Sequence, residues 1–86
     1  MKLFETMVNH KINRIQPYEL LSIAAQYNVQ LSTKQSEDIT SILAGKNINI
    51  FDSGQRQTVL EEISAVAGKK TAVQIEHVFN QLISNF

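Results

Sequence analysis

Cysteine is absent from the 86-residue chain, which excludes disulfide scaffolds, thiolate zinc sites and thiol catalysis. Glycine occurs three times and proline once, so intrinsic disorder is not expected over most of the length. Charge of one sign is lacking too, with eight basic side chains against eight acidic ones and no long block of either. A neutral chain has no general electrostatic attraction for nucleic acid, which leaves only a local patch to supply it. No apolar run approaches the roughly 20 residues that span a bilayer. The opening Met1-Lys2-Leu3-Phe4-Glu5 has neither a continuous apolar stretch nor a small-residue cleavage site, so no secretory signal is read there. These absences point to no membrane association and make the cytoplasm the most economical placement. The length suits one domain, residues 1–86, with a core just large enough to fold alone.

What is present is helical punctuation. Gln16-Pro17-Tyr18-Glu19, Ser32-Thr33-Lys34-Gln35, Asp52-Ser53-Gly54-Gln55 and Thr71-Ala72-Val73-Gln74 each place Glu or Gln three positions after a polar residue. That spacing lets the first side chain accept from an orphan amide while the later one reaches back to the cap. Gln is a poor N-cap, but Pro17 then falls at the favoured first helical position. Apolar residues recur with helical period between these signals. Leu3, Phe4, Met7 and Val8 outline a first amphipathic helix, roughly residues 2–11. Leu20, Leu21, Ala24 and Tyr27, with Ile23 beside them, share a face of a second that opens at Pro17. A third starts near Thr33, turns Ile39, Ile42 and Leu43 inward and ends at Gly45. A fourth follows Asp52, carries Val59, Leu60, Ile63, Val66 and Ala67 in one stripe and ends at Gly68. A last runs from about Ala72 through Ile75, Val78, Phe79, Leu82 and Ile83 to Phe86. The fold class is therefore all-α, a compact bundle of four to five short helices.

Two segments between helices differ in character. Val29-Gln30-Leu31 and Ile48-Asn49-Ile50 alternate apolar and polar residues just before a helix start. Each follows an asparagine, Asn28 or Asn47, a residue that tolerates left-handed backbone. Either the segments pair as a minimal β-bridge, or they are linkers whose apolar residues plug the core, and the second reading is favoured. Phe51, directly before the Asp52 cap, is placed as a hydrophobic staple with a partner near Gln57 or Val59.

Little of the sequence looks like chemistry. His10 and His77 lack the ligand set that zinc requires, and no metal or cofactor is expected. Gly45, Gly54 and Gly68 are isolated and form no phosphate-cradling loop. Glu37-Asp38 and Glu61-Glu62 are adjacent on helices and diverge, which suits solvated faces better than an acid–base pair. No nucleophile elbow accompanies the serines and threonines, so catalysis is not expected. Residues 20–43 can be drawn as a helix-turn-helix, but the second helix would turn Glu37 and Asp38 toward DNA phosphates. One basic grouping stays open: Lys11, Arg14, Lys46, Lys69 and Lys70 lie near loops and would form a patch if those loops gathered. Otherwise they are solvating charges that complement helix C-termini. The amphipathic stripes are read mostly as core. The broad stripe of the last helix makes Leu82 and Phe86 the candidate interface if it is not closed inside the fold.

Read whole, the chain resembles a small family of uncharacterised proteins from Bacillus-type Firmicutes, classed as a domain of unknown function. The resemblance rests on Val8-Asn9-His10-Lys11-Ile12-Asn13, Tyr18-Glu19-Leu20-Leu21, Lys46-Asn47-Ile48-Asn49-Ile50-Phe51, Arg56, Val59-Leu60 and Glu62-Ile63. It covers nearly the full length and implies a bacterial, cytosolic, helical protein with no catalytic residues to carry over. The expected function is a small non-enzymatic interaction or regulatory module, with an unidentified protein partner or a second copy bound at its surface. Nucleic-acid binding through the loop lysines is the alternative.

Overall fold

Five helices account for the architecture of residues 2–84, which the computed structural model describes. They are α1 (Lys2–Ile12), α2 (Pro17–Gln26), α3 (Thr33–Leu43), α4 (Ser53–Ala67) and α5 (Lys69–Ser84). Helices α2, α3, α4 and α5 pack in a closed ring, each against the next and α5 back against α2. Their inward faces are the apolar positions that helical periodicity selects: Leu20, Ile39, Leu43, Val59, Leu60, Ile63, Ile75 and Phe79 are all buried in one cluster. A smaller cluster of Ala24, Val29 and Val78 closes the α2–α5 side. Ile12 and Ile15 reach the main cluster from α1 and the turn after it.

The starts of α2, α3 and α4 follow the cap signals. Ser32 and Gln35 form the complete reciprocal box: the Gln35 N–H donates to Ser32 Oγ at 3.0 Å and the Ser32 N–H to Gln35 Oε1 at 2.9 Å. At Gln16 only the returning half forms, with the Gln16 N–H donating to Glu19 Oε1 at 2.9 Å. At Asp52 the cap forms, with the Gln55 N–H donating to Oδ2 at 2.8 Å. Gln55 then turns its own side chain to accept from the Asn49 N–H instead.

The fourth signal is a correction. Helix α5 opens at Lys69, directly after Gly68, and not near Ala72. Gly68 has φ +95°, which reverses the chain in a single residue and leaves no room for a linker before the next helix. Thr71 is accordingly a buried first-turn residue rather than a cap, and its Oγ1 accepts from Gln35 Nε2 at 3.1 Å across to α3. Val66, assigned inward from its stripe, is exposed, and Ala67 is only half-buried. The fourth stripe is thus shorter than its periodicity suggests.

Asn28 and Asn47 both take positive φ, +62° and +53°, as their type allows. Asn28 completes a helix C-terminal motif in which the Val29 N–H donates to Ala24 O and the Asn28 N–H to Ala25 O. That use of the Val29 amide bears on the proposed bridge between residues 29–31 and 48–50. No strand occurs among the described residues. The two segments are linkers, and Val29 and Ile50 are buried as core plugs. Phe51 is half-buried against the main cluster, which includes Val59. The fourth position of α4 is Arg56, whose guanidinium donates to the Ile50 carbonyl at 2.7 Å.

Candidate interaction site around helix α1

Helix α1 stands outside the ring and is held by two unlike attachments. On one side Ile12 enters the core and Val8 packs against it. On the other, two asparagines one helical turn apart bind the loop before α4. Asn13 donates from Nδ2 to the Ile48 carbonyl and accepts at Oδ1 from the Ile48 N–H, both at 2.9 Å. Asn9 accepts at Oδ1 from the Ile50 N–H at 3.0 Å and donates from Nδ2 to Asn49 Oδ1 at 2.9 Å. Positions four apart on a helix rise about 6 Å, and positions two apart on an extended chain about 6.6 Å. Side chains at 9 and 13 therefore match backbone amides at 50 and 48. This ladder stands where a β-bridge would have satisfied the same groups.

At 100° per residue, Asn9 and Asn13 lie on the flank of α1 opposite Phe4, Met7 and Lys11. The two flanks border cavities of the same size, about 340 Å³ each, and of opposite chemistry. The first, between α1, α2 and α5, is walled by Phe4, Met7, Val8, Ile12, Ile23 and Leu82, with Lys11 at its edge. The second is walled by Asn9, His10, Asn13 and Arg14 together with Asn47 and Asn49 of the loop.

The stripes of α2 to α5 are mostly core, as expected, and the first flank of α1 is the exception. Leu3 and Met7 are 66% and 59% exposed, and Phe4 is also exposed. Periodicity marked these residues as an apolar face, but the four-helix ring already fills the core. Only the Val8–Ile12 edge of α1 is turned inward. Leu82, proposed as an interface residue, is half-buried and forms part of this groove. Phe86, its proposed companion, lies outside the described residues.

The basic residues divide. Lys11 pairs with Glu19 of α2 and Lys46 with Glu62 of α4. The Lys11 ammonium, helped by the Gln16 backbone N–H, holds the Glu19 carboxyl below its usual range. A hydrogen bond from the Gly45 N–H to the Asn13 carbonyl at 3.3 Å brings the residues next to them in sequence, Lys46 and Arg14, to the same end of the molecule. Lys69 lies in a different groove, between α4 and α5 with Glu61 and Glu76, and Lys70 is exposed. His10 and His77 are both exposed. Among the described residues no group of three or more His, Asp or Glu side chains could hold a metal ion.

The α1 ladder escaped sequence reading. The only available signal was the i, i+4 asparagine pair in Asn9-His10-Lys11-Ile12-Asn13 opposite the alternating Ile48-Asn49-Ile50. Both lie in the segments that carried the family resemblance, and residues 1–83 match the family described as protein of unknown function (DUF2624). The chain belongs to this family. It is 30% identical over 84 residues to the uncharacterized protein YqfT of Bacillus subtilis (strain 168), covering 98% of this chain and all of that protein. No solved structure matches. Among the described residues no helix is long and apolar enough to cross a membrane.

Proposed function

We propose that this DUF2624 protein is a small non-enzymatic interaction module whose docking element is the outer face of α1 and the groove beside it. The supporting observation is the exposed Leu3 and Met7 next to a cavity walled by Val8, Ile12, Ile23 and Leu82. An apolar groove between helices suits an amphipathic helix that inserts side chains at one-turn spacing. That helix belongs to a protein partner or to a second copy of the chain. A photo-crosslinker at position 7, compared with one at exposed Gln30, tests the reading in cells. Adducts to another polypeptide are expected at position 7 alone. Equal labelling at both positions, or none at either, would remove the proposal.

The absence of catalysis is part of the same proposal. It is supported by the exposure of both histidines on separate helices, where among the described residues neither pairs with a carboxylate that would orient it as a base. Nucleic-acid binding ranks second. Arg14 and Lys46 share one end of the molecule, but Lys46 and Lys11 already carry carboxylate partners, which reduces the charge left for a phosphate backbone.

A further inference from the structure

We propose that the amide-rich cavity on the Asn9–Asn13 flank of α1 binds a small phosphomonoester. None of the residues that wall it is acidic, whereas Arg14 and His10 stand on its rim. Three other cations, Lys11, Lys34 and Lys46, are engaged by carboxylates, and Arg56 by the Ile50 carbonyl. The Arg14 guanidinium has no such partner among the described residues. A planar fork of N–H donors suits two oxygens of one phosphate.

The floor adds an oriented donor. Asn49 Oδ1 is fixed by two donors, Asn9 Nδ2 at 2.9 Å and the Phe51 N–H at 3.0 Å. Its Nδ2 is therefore set on the other side of the amide, makes no hydrogen bond among the described residues and is not sealed from solvent. Asn47, exposed at positive φ, brings a further carboxamide to the same wall. Three of the last four carbonyls of α1 are occupied, which lessens the opposition its negative end offers to an anion. Asn9 O accepts from the Asn13 N–H and Nδ2, Lys11 O from the Arg14 N–H, and Ile12 O from the Ile15 N–H. At about 340 Å³ the cavity accommodates a phosphate and a small organic group. A single guanidinium with carboxamides around it suits one phosphate better than a polyanion, whose affinity depends on many contacts at once.

The test is a titration of isotope-labelled full-length protein with glycerol 3-phosphate, with glycerol and a single-stranded RNA oligomer as the other arms. Saturable amide shifts at residues 10, 14, 47 and 49 are expected with glycerol 3-phosphate and not with glycerol. Arg14→Gln should weaken binding by about tenfold or more, as loss of a charged hydrogen-bond pair does. Asn49→Asp keeps the oxygen that accepts from Asn9 and Phe51 while replacing the free donor by negative charge, and should abolish the shifts. Lys70→Gln should change affinity less than about twofold, as expected of a screened surface charge. Unchanged melting temperatures show that the variants remain folded; for any variant that loses stability, the wild-type shift map and the Lys70→Gln control decide. Shifts centred on Lys69 and Lys70, no saturable shift in the wild type, or undiminished binding by folded Arg14→Gln would each overturn the site. Tighter binding of RNA than of glycerol 3-phosphate would replace it with a polyanion surface. Phosphate shifts at these residues are independent of crosslinking at position 7, so either proposal can fail alone.

Discussion

The two flanks of α1 have cavities of equal volume and were built by opposite means. The Phe4–Met7 flank is apolar and leaves its side chains facing water, whereas the Asn9–Asn13 flank is polar and spends its side chains on the neighbouring loop. Over much of this helix the polar side chains hold the structure together while apolar ones are left in water. Asparagine can replace a strand because its carboxamide has the same donor and acceptor as a peptide group. An apolar side chain has no such directional claim on a neighbour and is covered only if the ring has space for it. Here the ring is filled by eight large residues from α2 to α5, and the outer face of α1 is left over.

The largest effect should come where both attachments of α1 converge on the loop. Ile50 is fully buried, and its amide and carbonyl are held by Asn9 and Arg56. Ile50→Asp places an unpaired charge among apolar side chains, and a loss of at least about 3 kcal/mol, enough to unfold much of a marginal domain, is expected. Chemical denaturation reads this directly. A loss no greater than that of Lys34→Ala, an exposed change expected to stay within about 0.5 kcal/mol, would mean that the loop is not part of the core.

A smaller effect sharpens the contrast between the flanks. Asn13→Ala removes the partner of both the Ile48 N–H and its carbonyl, and about 1.5–3 kcal/mol should be lost because these part-buried groups are left unpaired. Met7→Glu, on the other flank, should cost no more than about 0.5 kcal/mol, since that side chain is already mostly in water. The comparison breaks if the two substitutions shift the denaturation midpoint equally.

The sequence shows the parts of this fold whose causes are local. Ser32 and Asp52 cap because the amides they satisfy lie within three residues, and Asn28 and Asn47 turn because their own backbone preference permits it. Thr71 carries the same local pattern and yet is no cap, since Gly68 decides the start of α5 from three residues upstream. The ladder and the uncovered stripe were illegible for a common reason. Asn9 and Asn13 meet partners 35 to 41 residues away, and whether Leu3 and Met7 are covered depends on how completely other helices fill the core. Helical period identifies an apolar face without identifying what lies against it. The basic residues show the same limit. Their spacing raised a patch, but Glu19 and Glu62, two of the side chains that reduce its charge, arrive from other elements.

The smallest expected effect concerns the charge at the boundary of the two flanks. Lys11 borders the apolar groove while its ammonium is bound to Glu19. Glu19 also accepts from the Gln16 N–H, so its carboxyl serves at once as ion-pair partner and helix cap. The Lys11 hydrogen bond, then the Gln16 N–H, lowers the Glu19 pKa in the folded protein. A carboxyl with a depressed folded pKa contributes stability that is fully present above its unfolded pKa and disappears as pH falls through the folded one. Glu19→Gln retains an oxygen for the Gln16 N–H and deletes the charge. The stability difference between the wild type and this variant should therefore be small and constant near neutrality and should close as pH falls through the ordinary glutamate range and below it. Added salt should narrow the same difference at neutral pH, because the pair is partly solvent-exposed. A difference that persists unchanged to low pH would assign the role of Glu19 to capping and packing alone, leaving α1 attached to α2 by its apolar edge without help from the ion pair.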